Sequence, residues 1–191
     1  DLGHYHHENP LKEMKKVKLV ERSMGYLTQE EIKDVLAALT GDNLKVVKLC
    51  LATGARWSEA ANLRREDVLA SRVTYINTKN GKNRTVPISA ELCQEITNGV
   101  NRGPLFRDLD YLLVRDVLKT VAPDLPAGQA VHVFRHTFAS HFMMSGGNIL
   151  ALQKILGHHN IQQTMTYAHF APDYLSDAVR FNPLENLLPA A

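Results

Sequence analysis

Six polar side chains stand where elements of structure are expected to begin or end. Arg56 follows a glycine turn, Lys79 sits at a hairpin tip, His132 and Arg135 open a helix, His158 follows a glycine stop, and Tyr167 lies on the next helical segment. Element ends and the loops beside them are where side chains from distant parts of a chain converge. Arginine forks match phosphate oxygens bidentately and cannot lose their charge. Histidine accepts, donates or shuttles a proton near neutral pH. Lysine can protonate a leaving oxygen, and a tyrosine hydroxyl is a nucleophile once activated. The set suits phosphoryl transfer, where catalysis is largely positioning and charge stabilisation.

Each residue alone has a plainer reading. Arg56 could be a helix-start arginine paired with Glu59, Lys79 a solvated turn residue, and Tyr167 an ordinary amphipathic aromatic. His132 and His136 have the i, i+4 spacing of a zinc pair. The zinc-protease pattern needs Glu directly after the first histidine, however, and Val133 stands there. No third ligand has suitable spacing, so no metal is expected. His141, His159 and His169 read as surface or core histidines. Arg135 poses the sharpest question. It lies in "HVFRHTFASHF", among Val133, Phe134, Phe138 and Phe142. A buried guanidinium is costly unless something anionic meets it. Either a carboxylate elsewhere in the chain pairs with it, or the anion is the ligand.

The elements that must hold these residues are legible in outline. Residues 1–26 show no steady apolar period and read as a linker or arm. "TQEEIKDVLAAL" opens a helix with a Thr28–Glu31 capping box. "DNLKVVKLCLAT" is apolar on most sides, a central helix ended by Gly54. "ARWSEAANL" is a short helix with Arg56 in its first turn. The period then changes: "RVTYINT" and "NRTVPI" alternate as strands around "KNGK", an Asn-Gly hairpin signal. Helices resume at Ser89. Asp110 caps "DYLLVRDVLKTVA", with a stripe through Leu113, Val117 and Val121. His132 to Ser145 is a helix stopped by Gly146-Gly147, Asn148 caps "ILALQKIL", Gly157 ends it, and Asn160 caps "IQQTMTYAHF". "DYLSDAVRF" is a last short helix before the Pro-containing "NPLENLLPAA", and residues 176–191 as a whole are read as a C-terminal tail region. The expected fold is mainly α with a small antiparallel β-sheet, an α+β domain spanning residues 27–175.

Composition bounds the function classes. Hydrophobic residues make 45% of the chain and charged residues 22%, an ordinary globular mix. Cys50 and Cys93 both fall in apolar helical patterns and are expected as buried thiols in a reducing compartment. No apolar run reaches the about 20 residues of a membrane span, and no secretory leader opens the sequence. The net charge is only +2. Basic residues are clustered, with Lys12, Lys15, Lys16, Lys18 and Arg22 in the arm and Lys79, Lys82 and Arg84 at one turn.

Four stretches, "TGARWSEAANLRREDV", "TKNGKNRTVPI", "HVFRHTFASHFMMSGGNILALQKILGHHNI" and "TMTYAHF", together resemble the catalytic domain of the tyrosine recombinases, most of all temperate-phage integrases. The likeness runs from about Leu27 to Tyr174. It implies that Arg56 and Arg135 clamp a scissile phosphate, with carboxylates or water standing in at Arg135 before DNA arrives, and that His132 serves acid–base and phosphate contacts. His158 would hydrogen-bond the phosphate, Lys79 would protonate the leaving 5′ oxygen, and Tyr167 would be the nucleophile. Glu59 matches a supporting acidic position. The resemblance further implies double-stranded DNA as substrate, no cofactor, action in the bacterial host cytoplasm, and a tetramer on DNA whose C-terminal tails are exchanged. Relatives carry a separate DNA-binding domain before this one, so an isolated catalytic domain is expected. Other tyrosine recombinase roles such as dimer resolution or inversion, a type IB topoisomerase and a non-catalytic DNA-binding module are the rival readings.

Overall fold

The computed structural model describes residues 24–76, 83–126, 128–173, 175 and 177–184. Lys79 and the hairpin tip lie outside the described residues. The expected α+β architecture is present: a mostly helical domain with one three-stranded antiparallel sheet.

Local sequence signals start and stop most elements. The Thr28 hydroxyl accepts from the Glu31 N–H and the Glu31 carboxylate accepts from the Thr28 N–H, opening α1 (Gln29–Ala38). Helix α2 (Gly41–Thr53) buries Val46, Val47, Leu49 and Cys50, and ends at Gly54 in the left-handed region. Helix α3 (Trp57–Ala61) follows, with Arg56 as its N-cap and not within its first turn. Ser89 caps α4 (Ala90–Thr97) and Asp110 caps α5 (Tyr111–Val121). Helix α6 (His132–Met144) is followed by α7 (Ile149–Leu156), which Asn148 opens and Gly157 closes. Helices α8 (Gln162–Met165) and α9 (Asp177–Arg180) are single turns.

The sheet runs β1 (Val68–Leu69), β2 (Arg72–Tyr75), β3 (Arg84–Pro87), each strand antiparallel to its neighbour. The register sets Val73 opposite Val86 and Tyr75 opposite Arg84. With a side-chain period of two, Val73, Tyr75, Arg84 and Val86 all face inward. Strand β1 was not expected. Its turn to β2 uses Ala70 and Ser71 at positive φ, residues that carry no turn signal of the Asn-Gly kind.

Three further expectations are corrected. On α5 the buried positions are Val114 and Leu118, while Leu113 is exposed. The run Leu112–Val114 is apolar throughout, so packing against α1 selects the face that spacing leaves ambiguous. Cys93 is only half-buried, unlike Cys50. "IQQTMTYAHF" is not one helix: α8 stops at Met165, and a 3-10 turn covers Ala168–Phe170 with Tyr167 at its start.

Helix α6 joins the two apolar clusters. Val133 and Phe134 belong to the larger one, built on α1, α2, α4, α5 and the sheet. Ala139 and Met143 belong to the smaller one, with Leu152, Leu156 and Tyr167. Burying a side chain such as Phe134 contributes about 1.5–3 kcal/mol, so α6 is anchored along its whole length. The segment before α1 is tied to α6 and to the loop before it: the Leu27 N–H donates to Thr137 Oγ1 and the Gly25 N–H to Gln129 Oε1.

Candidate active site

Two helix ends build the seat of Arg135. The last carbonyls of a helix have no intrahelical partner and form the negative end of its dipole. Arg135 is 5% exposed and spends its fork on two such groups. Nη1 donates to the Gly54 carbonyl at the end of α2, and Nη2 to the Leu156 carbonyl at the end of α7, both at 2.7 Å. The stand-ins are therefore backbone carbonyls, where carboxylates or water were expected. The approach is close enough to require glycine at position 54. A Cβ there would fall 2.6 Å from both Leu156 Cδ2 and Phe138 Cδ1, and φ is +64°. Burial, with the charges of Arg56 and Arg84, lowers the Arg135 pKa to about 10, so the group stays cationic at neutral pH.

Arg56 is held by Glu59. Its backbone N–H donates to Oε2 at 2.9 Å and its Nη1 to Oε1 at 2.8 Å. The plain pairing of these two residues is present, and a second arginine shares the acid. Arg84 donates Nη1 to Glu59 Oε1 at 3.0 Å and Nη2 to Oε2 at 2.7 Å. Its guanidinium lies 4.5 Å from the centroid of the Tyr75 ring. Tyr75 in turn hydrogen-bonds Thr53 at the end of α2. Burial alone would raise the Glu59 pKa. The hydrogen bonds from Arg84 and the Arg56 backbone, with both positive charges, outweigh it and hold the carboxyl at about 2.

The sequence reading placed Arg84 in a surface charge cluster and missed this role. The signal was available: Arg84 stands two positions before Val86 on a strand, so the two share a face.

His158 follows the left-handed Gly157, and its Nδ1 lies 2.9 Å from the buried Thr164 hydroxyl. Burial, then the charges of Arg135, Arg56, Arg84 and His136, lower its pKa to about 4. His132 is exposed at the first position of α6. Tyr167 is 3% exposed, and its hydroxyl lies 2.8 Å from Nδ1 of His136. Burial raises the Tyr167 pKa, and Arg135 opposes the rise. Arg56, Arg135, His158 and Tyr167 thus come together from α3, α6 and the ends of α7 and α8, with His132 at the edge. Two histidines, three arginines and a phenol form a cationic cluster with one hydroxyl, suited to an anionic ester. Two of these residues, Arg84 and His136, were not assigned to the site from sequence.

The profile of the phage integrase family matches residues 25–173. The integrase of Escherichia phage P2 is 54% identical over 93% of this chain and 52% of its own length. Tyrosine recombinase XerA of Pyrococcus furiosus is 32% identical over 85% of this chain and 63% of its own length. The solved catalytic domain of bacteriophage HP1 integrase superposes with a TM-score of 0.79 at 47% identity, covering 87% of this chain and all of that domain. The chain spans about half the length of the phage relatives it matches, 52% for phage P2 and 56% for phage 186. The chain belongs to the phage integrase family of tyrosine recombinases.

Proposed function

We propose that this chain is the catalytic domain of a site-specific DNA recombinase that integrates and excises phage DNA through a 3′-phosphotyrosyl intermediate. The observation that carries the reading is the convergence of Arg56, Arg135 and His158 on the site that holds the Tyr167 hydroxyl. The Tyr167 Oη–phosphorus bond forms as the phosphorus–O5′ bond breaks. Lys79 protonates the departing 5′ oxygen, and the phenol proton of Tyr167 passes to His132, the acid–base residue of this reading. A 5′ hydroxyl from a partner duplex then attacks the phosphotyrosine and restores a phosphodiester, so the bond energy is conserved. Arg56 and Arg135 neutralise the charge that builds on the non-bridging oxygens. His132 and His158 contact the same phosphate, and Glu59 orients Arg56.

The substrate in this reading is double-stranded DNA, and the working form is a tetramer on two duplexes. Residues 1–26 serve as the arm, 27–175 as the catalytic domain, and 176–191 as a tail exchanged between protomers. Val179, Phe181 and Leu184 are exposed apolar residues in the first half of that tail, which supports a tail that docks. Among the described residues no helix is long and apolar enough to cross a membrane.

The test is covalent capture. The chain is incubated with a pool of nicked duplexes and resolved on a denaturing gel. Wild type should form a protein–DNA adduct, and Tyr167→Phe should form none while retaining DNA binding. Adduct from the Phe variant at wild-type yield would reject Tyr167 as nucleophile.

A further inference from the structure

The proposed reaction leaves one close polar contact without a role. Tyr167 sits between α8 and the following 3-10 turn, His136 in the first half of α6, and 31 residues of chain separate them. Their polar atoms nevertheless meet at 2.8 Å, inside a site where Tyr167 is almost wholly buried. Arg135, the preceding residue on α6, acts electrostatically on both partners.

The protonation state limits what this contact can be. Burial, together with the charges of His132 and Arg135, lowers the His136 pKa to about 4. The ring is therefore neutral near pH 7 and carries one bare nitrogen. A phenol that donates its single proton to that nitrogen has its O–H direction fixed. Its lone pairs then point away from His136. A nucleophile held this way loses little rotational freedom on reaching the reactive geometry.

Building on the cleavage reaction proposed above, we infer that His136 is a positioning residue for the nucleophile: its unprotonated Nδ1 accepts the Tyr167 O–H and aims the phenol oxygen at the scissile phosphate. His136 touches neither phosphate nor leaving group in this role and acts only through Tyr167.

Two substitutions separate positioning from packing. Asparagine can present an acceptor oxygen near the place of Nδ1, whereas leucine fills comparable space without one. Single-turnover adduct formation is measured at saturating nicked DNA, with DNA affinity and urea unfolding measured alongside. His136→Asn should stay within about threefold of wild type, and His136→Leu should lose about tenfold or more, with DNA affinity unchanged. A leucine variant within about threefold of wild type, or an asparagine variant as slow as leucine, overturns the role. If the leucine variant fails to fold, nitrogen NMR of the wild-type histidine rings decides: a protonated Nδ1 on His136 at neutral pH overturns the inference, and an unprotonated, hydrogen-bonded Nδ1 supports it. A wild-type chain that forms no adduct overturns the cleavage reaction itself and this role with it. Wild-type adduct with an unimpaired leucine variant overturns the role of His136 alone.

Discussion

Arg84 grips both carboxylate oxygens of Glu59, which also takes the backbone N–H and guanidinium of Arg56. One acid thereby fixes two arginines on different elements, α3 and β3. The arrangement leaves a net positive charge beside Arg135, which is what an anionic ligand needs and what an arginine–acid pair alone would cancel.

That sharing can be measured as a coupling energy. The Arg84 and Glu59 side chains are only 7% and 10% exposed. Arg84→Met should destabilise the chain by about 3 kcal/mol in urea unfolding at neutral pH, because it strips a buried carboxylate of its main partner. The Arg84→Met/Glu59→Met double variant should recover much of that loss. Losses that simply add would show that the two residues act independently.

Arg135→Lys should fail as a catalyst even though it keeps the charge. Lysine has no planar fork to engage the Gly54 and Leu156 carbonyls and still face a ligand. Losing one oriented donor typically costs about 2.7–4 kcal/mol of barrier, roughly a hundred- to a thousand-fold in rate. A single-turnover cleavage rate within about threefold of wild type would instead make Arg135 a purely structural residue.

Lys79 allows a chemical test of proton donation. Lys79→Ala should cleave ordinary DNA slowly. A substrate with sulfur replacing the bridging 5′ oxygen has a better leaving group and needs no acid, so the variant should approach wild-type speed on it. Equal defects on both substrates would assign Lys79 to DNA contact alone.

Stability should fall in acid in two stages. His136 and His158 have folded pKa values near 4, below the about 6.5 of a free histidine. As pH drops from about 6.5 toward 4, the unfolded chain takes up protons that these two folded residues refuse, so folding weakens over that interval. Glu59, held at about 2, contributes stability that is complete above the ordinary carboxylate range and is lost as pH falls toward 2. Urea midpoints measured from pH 7.5 to 3 should decline first through the histidine window. A midpoint that stays constant between pH 7 and 4.5 would contradict the histidine part.

The parts of the fold visible in the sequence are those set by neighbours in the chain. Thr28, Asp110 and Asn148 cap the helices they were expected to cap, because a cap needs only residues two or three positions on. The site was legible as a set of residue types at element ends, and the family resemblance ordered it. What was not legible depends on partners far away in sequence. Nothing local to "HVFRH" says that Arg135 will meet two carbonyls, or that His136 will meet Tyr167. The break at Tyr167 was also hidden, since "TMTYAHF" has no Gly or Pro to mark it.

Arg135 draws its two carbonyl partners from positions 81 and 21 residues away. Contacts across such separations require large loops to close first. A nascent or partly unfolded copy therefore carries the arginine without its aim. Opening of α7 alone removes one of the two carbonyls that hold the Arg135 fork and moves His158 with it. In the proposed reaction the aim of Arg135 is thus a property of the completed fold, whereas its charge belongs to the chain whether folded or not.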